Sequence, residues 1–320
     1  NERLTNYCLN VRTNGALIPQ NLVSIIDYRI KREGFSEGLG LNQEVKGTFF
    51  SPIFYPLAEY DSNVNGGNPK KPLTLGSITL RGDPLLQSKE SITYGGGIGG
   101  VGRFVYDSGR YIDYFLTTSR AESLDYEDNI DTIAARACSK NHLKSWWYLD
   151  FCLLGYQEEK TLSESEIRQL DLSILKLISS SQYRHHEISV TPKYLISENY
   201  EQEQIELALE TLHQSGAITE FSVLIGNNVD GEVATDAQFS FSLSKKISQH
   251  PAQLKFVQKK STDAELLGFD RIDRSRYIGF SIKITPRIEI ELGYSVTEST
   301  INYFDSNEFI GAINFSPFTL

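Results

Sequence analysis

The sequence predicts an all-β protein, an antiparallel transmembrane up-and-down β-barrel of about 14 strands. Between Arg274 and Phe315, apolar residues alternate with polar ones on both sides of a turn at Thr285 to Arg287. Because strand side chains point to opposite faces with period two, this pattern indicates antiparallel strands with one apolar and one polar face. The pattern recurs along nearly the whole chain, with short turns alternating with longer polar loops, as is typical of outer-membrane barrels.

The composition agrees with a barrel better than with a helical membrane protein. Of 320 residues 40% are hydrophobic, the mean hydropathy is −0.30, and no run approaches the roughly 20 apolar residues that a spanning helix needs. The formal net charge of −10 argues against a nucleic-acid partner, because phosphate binding requires a basic stripe and none is visible in the sequence. We therefore expect a protein of the Gram-negative outer membrane, in contact with outer-membrane lipids and without a nucleic-acid partner.

The chain divides into an N-terminal segment, residues 1–43, and the barrel, residues 44–320. The N-terminal segment is expected to be a plug, extra strands or the remnant of a periplasmic domain. The first strand is predicted from Phe49 to Tyr60, followed by a long exposed loop over residues 61–72, where turn-forming residues predominate. The glycine-rich run from Tyr94 to Gly102 is predicted to be a strand and not a nucleotide loop, because strand-like residues and no helix follow it.

The remaining hairpins follow in regular order, with tight turns predicted on one rim and longer loops on the other. Two segments, 163–178 and 203–212, have helical spacing of apolar residues, but the surrounding strand-turn-strand frame favours strands. A soluble α+β binding protein is the alternative that those segments would support. The predicted turns are 107–109, 141–144, 180–182, 213–216, 249–251 and 285–287, and the predicted loops are 123–129, 158–164, 197–201, 227–232, 264–274 and 298–308.

The sequence indicates neither a catalytic site nor a metal site. Nearly all of the five histidines fall at predicted turns, and His186 has the wrong parity to share a strand face with Ser189. The three cysteines have no metal-ligand spacing. We therefore expect no enzymatic activity, no metal and no cofactor.

Alternation also predicts which side chains line the lumen. Acidic residues outnumber basic ones among them, which fits either a solvated lumen without selectivity or a conduit that favours cations or basic segments. In the last hairpin, Ile284 should face Ile288, and Lys283 should lie opposite Glu289. The predicted lumen-lining residues are Asp113, Arg136, Asp150, Glu187, Glu206, Glu210, Glu220, Gln238, Ser240, Ser242, Lys255, Lys259, Lys283, Glu289 and Glu291.

Two registers compete around the cysteines. A five-residue turn over 141–145 sets Arg136 opposite Asp150 and leaves Cys138 and Cys152 four positions out of register, too far apart for a disulfide. A bridge would instead need a nine-residue irregular loop over 141–149, with loss of the lipid contacts of Trp147 and Leu149. The charge pair is the favoured prediction.

The order of features also resembles a known family. The first strand ends in Tyr60-Asp-Ser-Asn-Val-Asn65, a glycine-rich strand and regular hairpins follow, and a Tyr303-Phe304-Asp305 loop precedes an aromatic-ended last strand. From Glu44 to Phe315 this resembles the C-terminal barrel of the surface lipoprotein assembly modifier (Slam-like) family. The resemblance implies a role in translocation or surface display of lipoproteins or other secreted proteins, which would be its clients. The alternative is a diffusion porin or a polysaccharide-export pore.

Overall fold

A computed structural model of the protein describes residues 47–107, 110–181, 184–285 and 288–315, so the segment 1–43 lies outside the described residues. Nearly every described residue in a regular element belongs to long, alternating strands. The fourteen long strands are β1 (Gly47–Asp61), β4 (Ser91–Asp107), β5 (Arg110–Ser123), β6 (Asn129–His142), β7 (Trp147–Lys160), β8 (Ser163–Ser181), β9 (Arg184–Ser197), β10 (Glu201–Leu212), β11 (Ile218–Gly226), β12 (Ala237–Ile247), β13 (His250–Leu266), β14 (Phe269–Thr285), β15 (Ile288–Ser299) and β16 (Ser306–Phe315).

These strands form a closed barrel in which each strand pairs antiparallel with its neighbours and β1 closes the ring between β4 and β16. The predicted fold class and strand number are confirmed. Both helix-like segments are strands, β8 and β10, because in the ring each pairs along both edges. With neighbouring strands about 4.8 Å apart and tilted by about 40°, fourteen strands enclose a backbone cylinder about 28 Å across.

The connections define two rims. At the turn rim, short links join β4 to β5, β6 to β7, β8 to β9, β10 to β11, β12 to β13 and β14 to β15. The predicted turns 141–144, 213–216 and 249–251 lie at three of these links, whereas the predicted turns 107–109, 180–182 and 285–287 fall partly outside the described residues. At the outer rim the longest connection, residues 62–90, contains a small hairpin of β2 (Leu73–Leu75) and β3 (Ile78–Leu80) and a short 3-10 turn (Pro84–Leu86).

Two predicted outer loops are wrong. The strands continue through most of 158–164 and 264–274, leaving only residues 161–162 and 267–268 between paired strand ends. Leu267 and Gly268 have φ of 53° and 84°, the conformation of a two-residue type I′ turn, which suits the right-handed twist of the flanking strands. The polar residues in these two stretches therefore occupy alternate positions of paired strands and do not form loops.

The favoured cysteine register is also wrong. Cys138 lies directly opposite Cys152, and the two form a disulfide with a Cα–Cα distance of 4.1 Å. The pairing continues to His142 opposite Tyr148, so no nine-residue loop is needed. The chain reverses sharply because Ser145 and Trp146 both adopt positive φ, 50° and 64°.

This register keeps the lipid-facing side chains in place. Trp147 remains exposed at the start of β7. Arg136 lies opposite Leu154 rather than Asp150, and it donates a hydrogen bond to the Cys152 sulfur at 3.7 Å. Asp150 instead lies opposite Lys140.

The last hairpin follows the prediction in one pair and departs from it in another. Lys283 lies opposite Glu289, with Nζ and Oε2 3.9 Å apart. Ile288, however, pairs with Thr285, because the register shifts between Lys283 and Thr285 and leaves Ile284 in a bulge. The prediction that Ile284 faces Ile288 is therefore wrong.

Candidate functional site: the barrel lumen

The outer face of the barrel is identified by its exposed apolar side chains. Directly opposed residues of neighbouring strands point to the same face, so the registers carry one face around the ring. On β10 to β12 that face carries Leu207, Phe221 and Phe239, which are 52%, 44% and 39% exposed. A belt of large apolar side chains around a closed barrel is the surface that lipid covers. The chain is therefore a transmembrane barrel of the outer membrane.

The described part of the chain has neither a candidate spanning helix nor a candidate metal cluster. No helix there has the length and apolar character needed to cross a membrane. Nor do three or more His, Cys, Asp or Glu side chains of these residues cluster in a way that could hold a metal ion.

The opposite face lines the lumen, and all of the predicted lumen residues lie on it. Their parity follows from the cross-strand pairs, for example Glu220 with Ser242 and Ser242 with Lys255. The lumen face thus carries Asp113, Arg136, Asp150, Glu187, Glu206, Glu210, Glu220, Gln238, Ser240, Ser242, Lys255, Lys259, Lys283, Glu289 and Glu291.

Three of the predicted acidic residues form one row. Glu187 of β9 lies opposite Glu210 of β10, which lies opposite Glu220 of β11. Like charges directly opposite each other on a sheet are destabilising. Because the three carboxylates are aligned, this acidic row also concentrates negative potential on one sector of the lumen wall. Two strands further on, β13 carries Lys255 and Lys259 on the same face.

The wall between the acidic and basic sectors is polar and hollowed. Ser240 and Ser242 of β12 lie there, and a cavity of about 300 Å³ opens beside them. Ser222 and Ser240 lie within hydrogen-bond distance, 2.5 Å. The cavity is lined by Glu206, Glu220, Ser222, Gln238, Ser240, Phe241, Ser242, Gln253, Lys255 and Val257.

Other lumen charges are neutralised by partners that the sequence analysis did not single out. Arg103 binds Asp113 with Nε and Oδ1 2.6 Å apart, and Lys140 approaches the same carboxylate at 3.3 Å. Lys193 binds Glu206 at 2.6 Å. Parity along β9 could have identified Lys193, since it lies an even number of residues from Glu187.

Aromatic rings lie flat on glycines inside the barrel. A Cβ atom on Gly97 would lie 2.2 Å from the Tyr55 ring, and one on Gly279 would lie 2.1 Å from the Tyr277 hydroxyl. Tyr277 also covers Gly293 and donates a hydrogen bond to Glu291 at 3.1 Å. These glycines let large side chains lie along the wall instead of projecting into the lumen.

The outer mouth is narrowed by the 62–90 connection. Val64 is fully buried and packs against Ala121 and Ile130, which lie on the inner faces of β5 and β6. The loop also contacts the β7–β8 turn, because the Leu162 amide donates to the Asn65 carbonyl at 2.8 Å. The loop therefore folds inward over one side of the opening.

Charged contacts hold this loop in place. Lys160, at the outer end of β7, binds Asp61 at 2.7 Å and donates to the Asn63 carbonyl at 3.0 Å. The buried Asn65 side chain donates to the Gln87 carbonyl and accepts from the Lys89 amide, both at 2.9 Å. Sequence reasoning predicted an exposed loop here and could not show that its tip folds into the mouth.

Comparisons with known proteins add a likeness in fold. No protein-family model matches the chain, and no curated protein matches it. Its structure is similar to OccAB2 of Acinetobacter baumannii (7% identity, 85% of this chain and 98% of that chain covered, TM-score 0.45) and to OccK10 of Pseudomonas aeruginosa (8%, 84% and 99%, 0.44). It is also similar to a BenF-like porin of Pseudomonas fluorescens (8%, 85% and 99%, 0.42). Because these identities and TM-scores are low, the assignment as an outer-membrane barrel rests on the registers and exposed apolar belt of this chain.

Proposed function

We propose that the protein forms a water-filled pore for small polar solutes in the outer membrane. The observation that supports this is the exposure of charged and polar side chains on the inner face. Glu220, Gln253 and Lys255 all point inward and all are exposed, whereas a barrel filled by its own side chains would bury them. In the described part of the chain, every strand longer than three residues belongs to the wall.

The pore should prefer cations. The acidic row of Glu187, Glu210 and Glu220 lies on one wall, and a lumen bounded by low-dielectric walls focuses the potential of such charges. Rings or rows of carboxylates select cations in other pores for the same reason. The preference should be moderate, since Lys255 and Lys259 lie on the neighbouring sector.

Planar-bilayer recordings test both points. We expect open single channels in KCl and, under a KCl gradient, a reversal potential displaced toward that of K⁺. The double variant Glu210→Gln, Glu220→Gln should lower the cation preference. Glu203→Gln is the matched control, because Glu203 lies on the same strand as Glu210 but on the outer face. A protein that is closed at rest would contradict the proposal.

One observation favours the assembly role that the Slam-like resemblance implies, so we keep it as a second candidate. In the described residues β1 pairs with β4 from Gly47 to Asp61 but joins β16 through only two register pairs, Glu59 with Ala312 and Tyr60 with Gly311. A seam with few ladder hydrogen bonds is the part of a barrel that opens at least cost. A barrel that passes a lipoprotein or other client into the membrane would need such an opening.

Locking this seam separates the two functions. Glu59→Cys with Ala312→Cys should form a disulfide, because directly opposed residues have suitable Cα separation. A pore should conduct normally with the seam locked. An assembly barrel should lose surface display of its client, measured by protease accessibility of a lipoprotein on intact cells. Ser275→Cys with Thr297→Cys, an opposed and uncharged pair on β14 and β15, controls for the cross-link itself, and Cys8→Ser is included in every variant.

A further inference from the structure

An acidic and a basic side chain of the lumen wall lie two strands apart, on β11 and β13. Glu220 of β11, Ser242 of β12 and Lys255 of β13 are directly opposed in turn, and we name these three residues the wall site. The Ser242 hydroxyl donates to Glu220 Oε2 at 3.3 Å. Two strand spacings separate the backbones of Glu220 and Lys255, about 10 Å.

The charges of the wall site are open to the lumen. Glu220 and Lys255 are both exposed, and among the described residues neither has a salt-bridge partner. Glu206 also lines the cavity, but Lys193 neutralises it at 2.6 Å. The wall site therefore presents one acidic and one basic group that a bound solute can satisfy.

The surroundings strengthen this polarity. Glu210 lies next to Glu220 in the acidic row, on the side away from Ser242. Lys259 lies on the same face of β13 as Lys255, two positions along in the alternation. A solute in the cavity therefore experiences negative potential toward β10 and β11 and positive potential toward β13.

A small zwitterion fits these dimensions. In an α-amino acid the nitrogen lies about 2.5 Å from the carboxyl carbon, across two covalent bonds. With one charge-assisted hydrogen bond of about 2.8 Å at each end, the assembly spans about 8 to 9 Å, close to the separation of the two strands. The cavity volume of about 300 Å³ lies at the lower end of the range for small-molecule sites.

We propose that the wall site binds small solutes that carry an ammonium group and a carboxylate on the same carbon, the ammonium on Glu220 and the carboxylate on Lys255. This inference rests on the proposed pore function and names the class of solute that its wall retains. A solute with a single charge satisfies only one of the two groups and leaves the other unmatched. The discrimination comes from that unmatched charge.

The test uses the wild-type protein in a planar bilayer in KCl, with three solutes of similar size. L-alanine carries both charges, lactate lacks the ammonium, and L-alaninamide lacks the carboxylate. Each solute is titrated, and the concentration that half-maximally interrupts the current is measured. Losing one charge-assisted hydrogen bond should raise that concentration about tenfold or more for lactate and for alaninamide.

Variants assign the effect to the wall site. Glu220→Gln and Lys255→Gln should each raise the value for alanine about tenfold. Lys260→Gln is the matched control and should leave it unchanged, because Lys260 neighbours this sector on the outer face. Exchange of the two charges, Glu220→Lys with Lys255→Glu, should restore binding, since the solute can reverse its orientation.

The outcomes separate this inference from the pore function. Open channels in which alanine, lactate and alaninamide act at the same concentration would overturn the inference and leave the pore intact. The same holds if Glu220→Gln and Lys255→Gln behave like Lys260→Gln. A wild-type protein that carries no current would overturn the pore function, and the inference with it.

Discussion

Gly279 should be needed so that Tyr277 can lie on the lumen wall, and Gly279→Ala should therefore destabilise the barrel. The new Cβ atom would lie 2.1 Å from the Tyr277 hydroxyl oxygen and 2.5 Å from Cζ, so the ring would have to leave the wall. It would lose its contact with Gly293 and its hydrogen bond to Glu291. Overpacking of this kind costs about 1 to 3 kcal/mol and a hydrogen bond to a charged group about 1.5 to 3 kcal/mol. Because the ring can swing into open lumen, we expect a loss of about 2 kcal/mol in the free energy of unfolding.

Urea unfolding of the refolded barrel in detergent micelles, followed by tryptophan fluorescence, measures this loss. Gly155→Ala is the control, because a Cβ there meets nothing within 4 Å and should change stability by less than about 0.5 kcal/mol. In a Tyr277→Ala background, Gly279→Ala should cost little, so the two substitutions should show a coupling energy close to the whole effect. The reasoning is refuted if Gly279→Ala behaves like Gly155→Ala, or if its cost is the same with and without the Tyr277 ring.

Two further predictions concern the faces and the register. Phe241→Arg puts a charge on the lipid face and should cost about 2 to 4 kcal/mol near the membrane midplane. It should therefore lower the yield of folded, heat-resistant barrel far more than Ser242→Arg, which puts the charge on the lumen face. Equal yields of the two variants would contradict the assignment of the faces. Thiol labelling of the unfolded, non-reduced chain should modify Cys8 alone, since Cys138 and Cys152 are bridged. Reduction before labelling should make all three cysteines reactive. Labelling of all three without reduction would show that the register of β6 and β7 is wrong.

The sequence by itself determined which way side chains point. Along β10 the apolar residues Ile205, Leu207 and Leu209 alternate with Glu206 and Glu210, and this assigns lipid and lumen faces without knowledge of any partner strand. The strand number could be read as well, because turn residues separate the alternating segments. Both properties are local, since side-chain direction follows the two-residue period of a single strand.

Only the tertiary structure decided which residues are neighbours across strands. The acidic row depends on the registers of two successive hairpins, and the Cys138–Cys152 pair depends on positive φ at Ser145 and Trp146, which the residue types there do not reveal. Each register is set by the number and conformation of the turn residues, so an error of one residue moves every pair along the strand. The inward fold of the 62–90 connection likewise depends on contacts with β7, about a hundred residues further along the chain. Residue spacing specifies faces, whereas the wall site exists only because three strands are aligned.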